Sequence, residues 1–192
     1  DEFSLTTSQT YTGGTTINTG VLSLNVANAL ADAGAVTVNA NGTLALETGA
    51  ETIGALDGAG KVTLGANTLT VGGAAATEFS GVISGTGGLT LDKAAEADVF
   101  ELSGNNTYTG TTTVTTGTLA VSSGGAIHND GSVVVSGGST LRVDASEDVG
   151  LLDGAGSVDL AVAGQTLTVG STVAGTADFS GAITGAGGLT MN

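Results

Sequence analysis

The chain has 192 residues, including 34 glycines but no proline or cysteine, and its formal net charge at pH 7 is −15. This glycine content disfavours helices, because each glycine inside a helix costs about 1 kcal/mol relative to alanine, and a collagen would need abundant proline. The lack of cysteine excludes disulfides, thiolate zinc sites and cysteine nucleophiles, and 3 basic residues against 18 acidic ones argue against nucleic acid as a partner.

The sequence repeats itself after about 97 residues. Thr10–Gly13 returns as Thr107–Gly110 at an offset of 97, and Leu56–Gly60 returns as Leu152–Gly156 at an offset of 96. Three further segments recur at offsets of 98 to 100: Thr68–Gly72 as Thr166–Gly170, Phe79–Gly81 as Phe179–Gly181, and Gly87–Thr90 as Gly187–Thr190. We therefore predict one continuous domain, residues 1–192, made of a first unit at residues 1–97 and a second unit at residues 98–192.

Short strands with alternating apolar residues follow one another along both units. Examples are Leu22–Val26, Leu44–Leu46 and Val133–Val135, separated by turns rich in Gly, Asn and Asp. Apolar anchors then recur at a regular spacing, at Ile17, Val38, Val62, Leu89, Val114, Val135, Val158 and Leu189. A coil of about three short strands needs a spacing of this size, and one coil cannot bury its apolar face without neighbours.

These patterns predict an all-β fold, a single-stranded right-handed parallel β-helix, or β-solenoid, of about seven to eight coils, each of about 21 to 31 residues. The handedness is expected from the general rule for parallel crossovers. Thr, Ser, Asn and Ala are expected outside. The predicted inward positions are Leu22, Leu24, Val36, Val38, Leu44, Leu46, Val62, Leu64, Leu69, Val71, Leu89, Leu91, Leu119, Val121, Val133, Val135, Leu141, Val143, Val158, Leu160, Leu167 and Val169.

The first and last coils of such a stack would expose unpaired strand edges. The chain has no initiator methionine and no signal peptide, so we interpret it as a fragment of a longer protein, of which residues 1–3 could be partly a cloning remnant. Because solenoids need capping repeats, we predict end-to-end contacts of the fragment or frayed terminal coils.

Candidate catalytic residues are few. His128 is the single histidine and lies near Ser122 and Ser123, but no Gly-x-Ser-x-Gly motif is present, so we interpret it as part of a surface turn. Glu147 and Asp148 are adjacent in a predicted strand and should point to opposite faces. Asp144 and Asp153 are near this acidic pair in the sequence, and the basic residues Lys61, Lys93 and Arg142 are too few for lyase chemistry.

Other patterns are interpreted as structural. The turns Asp57-Gly58 and Asp153-Gly154 do not form the nonapeptide repeat of calcium-binding rolls. Threonines 111–113 and 115–116 resemble the outward arrays of ice-binding solenoids, but the uneven coil lengths spoil a lattice match. Tyr11 and Tyr108, like Phe79 and Phe179, occupy equivalent positions and are predicted to pack over coil junctions. We therefore predict no enzyme, no catalytic residue, no metal site and no cofactor.

One long motif resembles a known family. Residues 87–91 read Gly-Gly-Leu-Thr-Leu, and residues 104–119 read Gly-Asn-Asn-Thr-Tyr-Thr-Gly-Thr-Thr-Thr-Val-Thr-Thr-Gly-Thr-Leu. This resembles the passenger-associated β-strand repeat of bacterial autotransporters nearly position by position. The first copy departs from it at Gln9, where the second has Asn106, and at Val21, where the second has Thr118.

The resemblance implies a right-handed β-helical passenger of type V secretion, which crosses the Gram-negative outer membrane through a C-terminal barrel that this sequence does not contain. It implies a surface-exposed or secreted segment with a virulence-associated role in adhesion to a host surface or matrix, in self-association, and in passenger translocation and folding. The alternative is a passive stem that spaces an enzymatic domain from the membrane. The lack of cysteine suits passage through a pore, since no disulfide can form beforehand.

Overall fold

Every second residue of the short strands is apolar, and this alternation gives each strand one face that can be buried. The structure, a computed structural model, describes residues 1–170 and 175–192. In these residues the chain is all-β, without a helix, and its parallel sheets stack into a β-solenoid of about nine turns. The predicted fold class is confirmed, and the predicted seven to eight coils are close to the observed number. The right-handed winding stays a prediction.

The strands of the described residues follow in chain order. They are β1 (Glu2–Leu5), β2 (Thr15–Leu24), β3 (Ala35–Leu46), β4 (Glu51–Ile53), β5 (Ala55–Gly58), β6 (Lys61–Thr63), β7 (Leu69–Val71), β8 (Thr77–Phe79), β9 (Val82–Ser84), β10 (Leu89–Asp92), β11 (Val99–Leu102), β12 (Thr112–Thr116), β13 (Thr118–Val121), β14 (Ser132–Val135), β15 (Thr140–Val143), β16 (Glu147–Val149), β17 (Leu151–Gly154), β18 (Ser157–Leu160), β19 (Thr166–Val169), β20 (Ala182–Gly185) and β21 (Gly188–Met191).

Across residues 1–170 and 175–192 these strands form three parallel sheets. The large sheet has the order β1-β2-β3-β5-β8-β11-β13-β15-β18-β20, and β6 joins it by pairing with β3 and β9. A six-stranded sheet has the order β17-β14-β12-β10-β7-β4, and a three-stranded sheet has the order β16-β19-β21. Because β8 pairs with β11 and β10 pairs with β12, the ladder continues from the first unit into the second.

The interior is a column of aliphatic side chains, stacked like on like along the sheets. All of the predicted inward positions are buried, none of them more than 8% exposed. The structure adds other large buried side chains, of which several lie where the two units meet: Ile53, Leu56, Phe79, Ile83, Phe100, Leu102, Tyr108, Val114, Ile127, Val149 and Leu152. Each buried aliphatic side chain contributes about 1.5 to 3 kcal/mol before conformational entropy is counted.

Some of the coils are shorter than the predicted range of about 21 to 31 residues. In the six-stranded sheet, Leu69 pairs with Leu89. The separation of these two residues along the chain is smaller than the shortest predicted coil length. In the large sheet Leu141 pairs with Val158, an even shorter step. Other steps lie within the predicted range, such as that from Leu22 to Leu44. The predicted lengths are therefore too long for part of the stack only, and about nine turns fit the chain.

The error has a structural cause, because the predicted anchors lie in different sheets. The sequence spacing predicts Val62 in line with Val38 and Leu89, but its partners in the large sheet are Leu44 and Ile83. Leu89 belongs to the six-stranded sheet, where it pairs with Leu69. A step from one sheet to another adds part of a coil and makes the coil look longer than it is.

The expectation that hydroxyl side chains lie outside is wrong at several positions. Ser23, Thr112 and Ser139 are each 1% exposed. Ser139 donates from Oγ to the backbone oxygen of Val114 at 2.8 Å, in a neighbouring coil. A buried hydroxyl is stable here because it closes a hydrogen bond that the strand ladder leaves open.

Two equivalent glycines lie where successive coils approach each other closely. Gly58 has φ 110° and Gly154 has φ 111°, both in conformations that side-chain-bearing residues rarely adopt. A Cβ atom on Gly154 would also collide with the backbone oxygen of Val135 in the adjacent coil. The repeated Leu-Asp-Gly-Ala-Gly segment therefore requires glycine at this position.

We expect Gly154→Ala to lower the free energy of unfolding by at least about 1 to 3 kcal/mol, the usual cost of one strained backbone position. Gly137→Ala is the matched control, because Gly137 has nothing within 4 Å of a built Cβ and no positive φ. Urea denaturation followed by circular dichroism measures both. Equal midpoints for the two variants would contradict the close approach at Gly154.

Candidate functional site

The histidine and its neighbouring serines do not form a catalytic arrangement. His128 is half-buried beside a turn, where its Nδ1 accepts a backbone N–H at 3.2 Å. Ser122 instead donates to Glu101 Oε1 at 2.6 Å, and Ser123 donates to the backbone oxygen of Gly104 at 3.1 Å. These contacts agree with the interpretation of His128 as a turn residue.

The acidic residues near position 147 do not converge either. Glu147 is 1% exposed, whereas its neighbour Asp148 is only half-buried, as expected for successive strand residues. Asp144 accepts a salt bridge from Arg142 at 2.8 Å, and Asp153 is exposed. Within residues 1–170 and 175–192, no group of three or more His, Cys, Asp or Glu side chains is placed to hold a metal ion.

The buried glutamates bind backbone amides of the preceding coil. Glu51 is 1% exposed at the start of β4. Its Oε2 accepts the N–H of Ala29 at 2.7 Å, and its Oε1 accepts the N–H of Leu30 at 2.8 Å. The carboxyl group thereby accepts hydrogen bonds from two consecutive amides of a loop, where the strand ladder supplies no acceptor for them.

Glu147 repeats this arrangement in the second unit, at the start of β16. Its Oε2 accepts the N–H of Ala126 at 3.3 Å, and its Oε1 accepts the N–H of Ile127 at 2.7 Å. This role of Glu147 is not among the sequence predictions. A signal was present, since Glu-x-Ile/Val-Gly recurs at 51–54 and 147–150 and puts the glutamate on the same strand face as a core residue.

Burial governs the protonation of these carboxyl groups. It raises the pKa of Glu147 to about 8, with the negative charge of Asp148 adding to the rise, although the two amide N–H groups oppose it. Burial also raises the pKa of Glu51, with a further contribution from Asp32. Near neutral pH, Glu147 therefore keeps a proton in the folded chain that it would lose on unfolding.

A raised pKa makes the stabilisation by Glu147 depend on pH. The contribution is fully present below its ordinary pKa of 4.5 and is lost as the pH rises through about 8. We expect the unfolding free energy of the native chain, relative to Glu147→Gln, to fall over this range by on the order of a few kcal/mol, since one pKa unit corresponds to about 1.4 kcal/mol. Urea titrations between pH 5 and 9 measure the difference.

Asp153→Asn is the control for this pH series, because it removes an exposed carboxylate of the same unit. Its stability should follow that of the native chain across the whole range. Profiles for Glu147→Gln and the native chain that run parallel would show that the Glu147 carboxyl does not titrate differently in the two states.

Asn106 joins three successive coils. Its Oδ1 accepts the N–H of Ile83 at 2.7 Å in the coil before, and its Nδ2 donates to the backbone oxygen of Ala126 at 2.7 Å in the coil after. The residue is 4% exposed, so its amide acts as a buried connector in a place where strands do not pair.

The equivalent tyrosines make the same hydrogen bond in different surroundings. Tyr108 is fully buried and its hydroxyl lies 2.6 Å from Thr112 Oγ1. Tyr11 lies 2.6 Å from Thr15 Oγ1 but is 43% exposed. Burial raises the pKa of the Tyr108 phenol. The predicted packing of Tyr108 over a coil junction is confirmed, whereas Tyr11 lies at the open N-terminal face of the stack.

This pair allows a test in which chemistry stays constant and only burial changes. Tyr108→Phe leaves the buried hydroxyl of Thr112 without its partner and should lower the unfolding free energy by about 1 to 3 kcal/mol. Tyr11→Phe removes the same hydrogen bond at an exposed site and should change it by less than about 0.5 kcal/mol. Thermal or urea denaturation of both variants distinguishes them, and equal losses would contradict a junction role for Tyr108.

Lys93 is a buried cation that closes a turn. It is 3% exposed, and its Nζ donates to the backbone oxygens of Gly72 at 2.9 Å and Ala75 at 2.7 Å. Burial lowers the pKa of Lys93, which the nearby Asp98 partly offsets. One of the few basic residues thus serves the fold and is not available as surface charge.

Two cavities of the described residues lie at the ends of the stack. One of about 590 Å³ is lined by residues of β1 and β2 with Tyr11, and another of about 500 Å³ is lined by residues of β20 and β21 with Phe179. Neither contains His128, Glu51 or Glu147. No helix long and apolar enough to cross a membrane is found in the described residues.

Comparison with protein-family models, with curated proteins and with solved structures finds no match to this chain. The fold itself is therefore the basis for any functional inference about these residues. Its notable polar groups bind backbone atoms between coils, and its outer surface is formed by stacked strand faces.

Proposed function

We propose that this chain is a β-helical segment of a bacterial autotransporter passenger, on the Gram-negative cell surface or secreted, with a role in adhesion, self-association and passenger translocation. The observation that carries the proposal is the Gly-Asn-Asn-Thr-Tyr-Thr-Gly motif at residues 104–110, together with the place it occupies in the fold. It lies where the second unit stacks on the first, and its side chains bind across coils.

The motif supports folding of one coil upon another. Asn106 binds the coil before and the coil after, and Tyr108 fills the space between them. Neither contact can form until two neighbouring coils are in place. A chain that emerges gradually from a pore would gain these contacts one coil at a time, so each folded coil would hold the emerged segment outside the cell.

The surface of the six-stranded sheet supports a role in self-association. Its outward column is uncharged over four coils, because Thr52, Thr70, Thr90 and Thr113 pair in register. By contrast, the large sheet places Glu78 beside Glu101. At a net charge of −15, two copies would repel each other least through the threonine column. A flat row of hydroxyls can bind a second such row by hydrogen bonds.

The test is display of the chain between a signal peptide and an autotransporter barrel in a Gram-negative host, measured by protease accessibility on intact cells. The native chain should be displayed, and Val133→Asn with Val135→Asn should reduce display several-fold, because both side chains are fully buried. Val134→Asn is the control on the same strand, since Val134 is only half-buried. Unchanged display of the double variant would contradict coupling between stacking and translocation.

The rate at which the same cells settle from suspension distinguishes a self-associating segment from a passive stem. Cells that display the native chain should aggregate, and Thr90→Asp with Thr113→Asp should prevent it. Thr37→Asp with Thr63→Asp adds the same charge to the large sheet and should leave settling unchanged. Cells that display the native chain and settle no faster than cells with the barrel alone would favour the stem.

A further inference from the structure

Two of the ten asparagines stand in the sequence of an acceptor for N-linked sugar, Asn-x-Ser or Asn-x-Thr with x other than proline. They are Asn41, in Asn41-Gly42-Thr43, and Asn105, in Asn105-Asn106-Thr107. Such a motif is an acceptor only where an enzyme can reach it. Its place in the fold therefore decides whether it can be modified.

In both motifs the fold turns the asparagine and the threonine outward and the residue between them inward. Asn41 is exposed and Thr43 is half-buried, with a buried glycine between them, as expected for alternating residues of β3. Asn105 and Thr107 are both exposed, whereas Asn106 is 4% exposed and binds the coils before and after. An enzyme can therefore approach the amide and the hydroxyl of each motif from the same side.

The two acceptor amides are also not needed by the fold. Within residues 1–170 and 175–192, the side chains of Asn41 and Asn105 make no hydrogen bond. Other asparagines of the chain are engaged: Asn39 donates from Nδ2 to Asn18 Oδ1 at 2.7 Å, and Asn67 donates to a backbone oxygen at 2.9 Å. Transfer of a sugar to either acceptor breaks no side-chain hydrogen bond of the described residues.

Both acceptors lie on one edge of the stack, which we call the glycine edge and which consists of Gly42, Gly60, Gly81 and Gly104. A Cβ atom on Gly60 would lie 2.8 Å from the backbone oxygen of Gly42 in the coil before. In the same way Gly81 lies against Gly60, and Gly104 lies against Gly81. The first acceptor precedes Gly42 and the second follows Gly104. They are therefore three coils apart on the same edge, about 14 Å at a rise of about 4.8 Å per coil.

Glycines leave space beside each acceptor. In the coil after Asn105, a Cβ atom on Gly125 would lie 3.1 Å from Asn105 Oδ1, a place that glycine keeps open. Beside Asn41, Gly42 pairs with Gly20 of the neighbouring strand. Because glycine has no side chain, a sugar ring bonded to either amide has room at this corner.

We propose that Asn41 and Asn105 are acceptors for N-linked sugar, carried on the glycine edge of the folded chain. The donor is a sugar activated by a diphosphate, either a nucleotide sugar or a lipid-linked oligosaccharide. The bond from the sugar C1 to the diphosphate oxygen breaks while the bond from C1 to asparagine Nδ2 forms. The diphosphate leaves, and the amide gives up one proton. Acceptance of sugar at these sites does not depend on the proposed function.

The position of the acceptors keeps the sugars away from the threonine column. Asn41 lies in β3 and Asn105 follows β11, and both strands belong to the large sheet. The threonine column lies on the six-stranded sheet. N-linked sugars are bulky and solubilising, so on the glycine edge they would shield one side of the stack and leave that column open.

The test uses the purified, folded full chain in two separate arms. One arm contains a soluble N-glycosyltransferase with a nucleotide-activated hexose, and the other contains a membrane oligosaccharyltransferase with a lipid-linked oligosaccharide. Intact mass spectrometry and peptide mapping count and locate the sugars. Two sugars per chain are expected in at least one arm, and the productive arm identifies the class of donor.

Variants assign each sugar to its site. Asn41→Gln and Asn105→Gln should each remove one sugar, and the double variant should remove both. Thr43→Val and Thr107→Val keep both asparagines and should each remove one sugar as well. Asn67→Gln is the matched control outside any motif and should leave the number unchanged.

Peptides of residues 38–46 and 102–110 show whether each transferase recognises the motifs without the fold. Sugar on the peptides but not on the folded chain would overturn the proposal, and so would no sugar on either. The modified chain should unfold at the same urea concentration as the unmodified chain, because the glycine edge has room for the sugars. A lower midpoint for the modified chain would contradict that placement.

Discussion

The parallel, in-register ladder between successive coils is the constraint on which the rest of this structure depends. Each coil must present its backbone to the coil above and to the coil below at a spacing of about 4.8 Å. A proline within a strand would remove a donor from this ladder, and the chain contains none. Side chains that follow one another up the stack must also fit one another, which is why Leu22 lies beside Leu44 and Val133 beside Leu152.

The ladder leaves some backbone hydrogen-bonding groups without a partner, and the buried polar side chains form hydrogen bonds with these groups. Loops that cross from one sheet to the next bring amides such as those of Ala29 and Ile127 into the interior, where water does not reach them. An unpaired buried amide costs about 1 to 3 kcal/mol. A glutamate that accepts two amides, or an asparagine that bonds in both directions, removes this penalty. These polar residues therefore stabilise the stacking of the coils, as the aliphatic column does.

Most of the strand pattern could be predicted from the sequence, because a period of two in apolar residues has a local cause. The buried positions of Leu64, Leu141 and Val169 follow from that alternation alone. The number of coils could not be counted equally well, since a valine in one sheet looks the same in the sequence as a valine in another. For this reason the predicted alignment of Val62 with Val38 is wrong, and Val62 pairs with Leu44 instead.

The buried polar residues were harder to predict, because their partners are about one coil away. The sequence predicts that Glu147 and Asp148 point to opposite faces of a strand, and the buried Val149, two positions later, puts Glu147 on the inward face. Its repetition at Glu51 was the available signal, but the amides that it binds cannot be deduced from spacing. The junction role of Tyr108 could be predicted, because its recurrence at Tyr11 already argued for a fixed place in the repeat.

The equivalence of the two units has a consequence for how such a protein can change in length. Gly58 pairs with Phe79 in the first unit as Gly154 pairs with Phe179 in the second, so the same register recurs at matching coils. Unequal recombination between the two copies would insert or remove one whole unit, roughly 20 Å of rod at a rise of about 4.8 Å per coil. The junction left behind would be one that the protein already uses. Evolution could thus adjust the reach of the rod in fixed steps, without having to invent a new core.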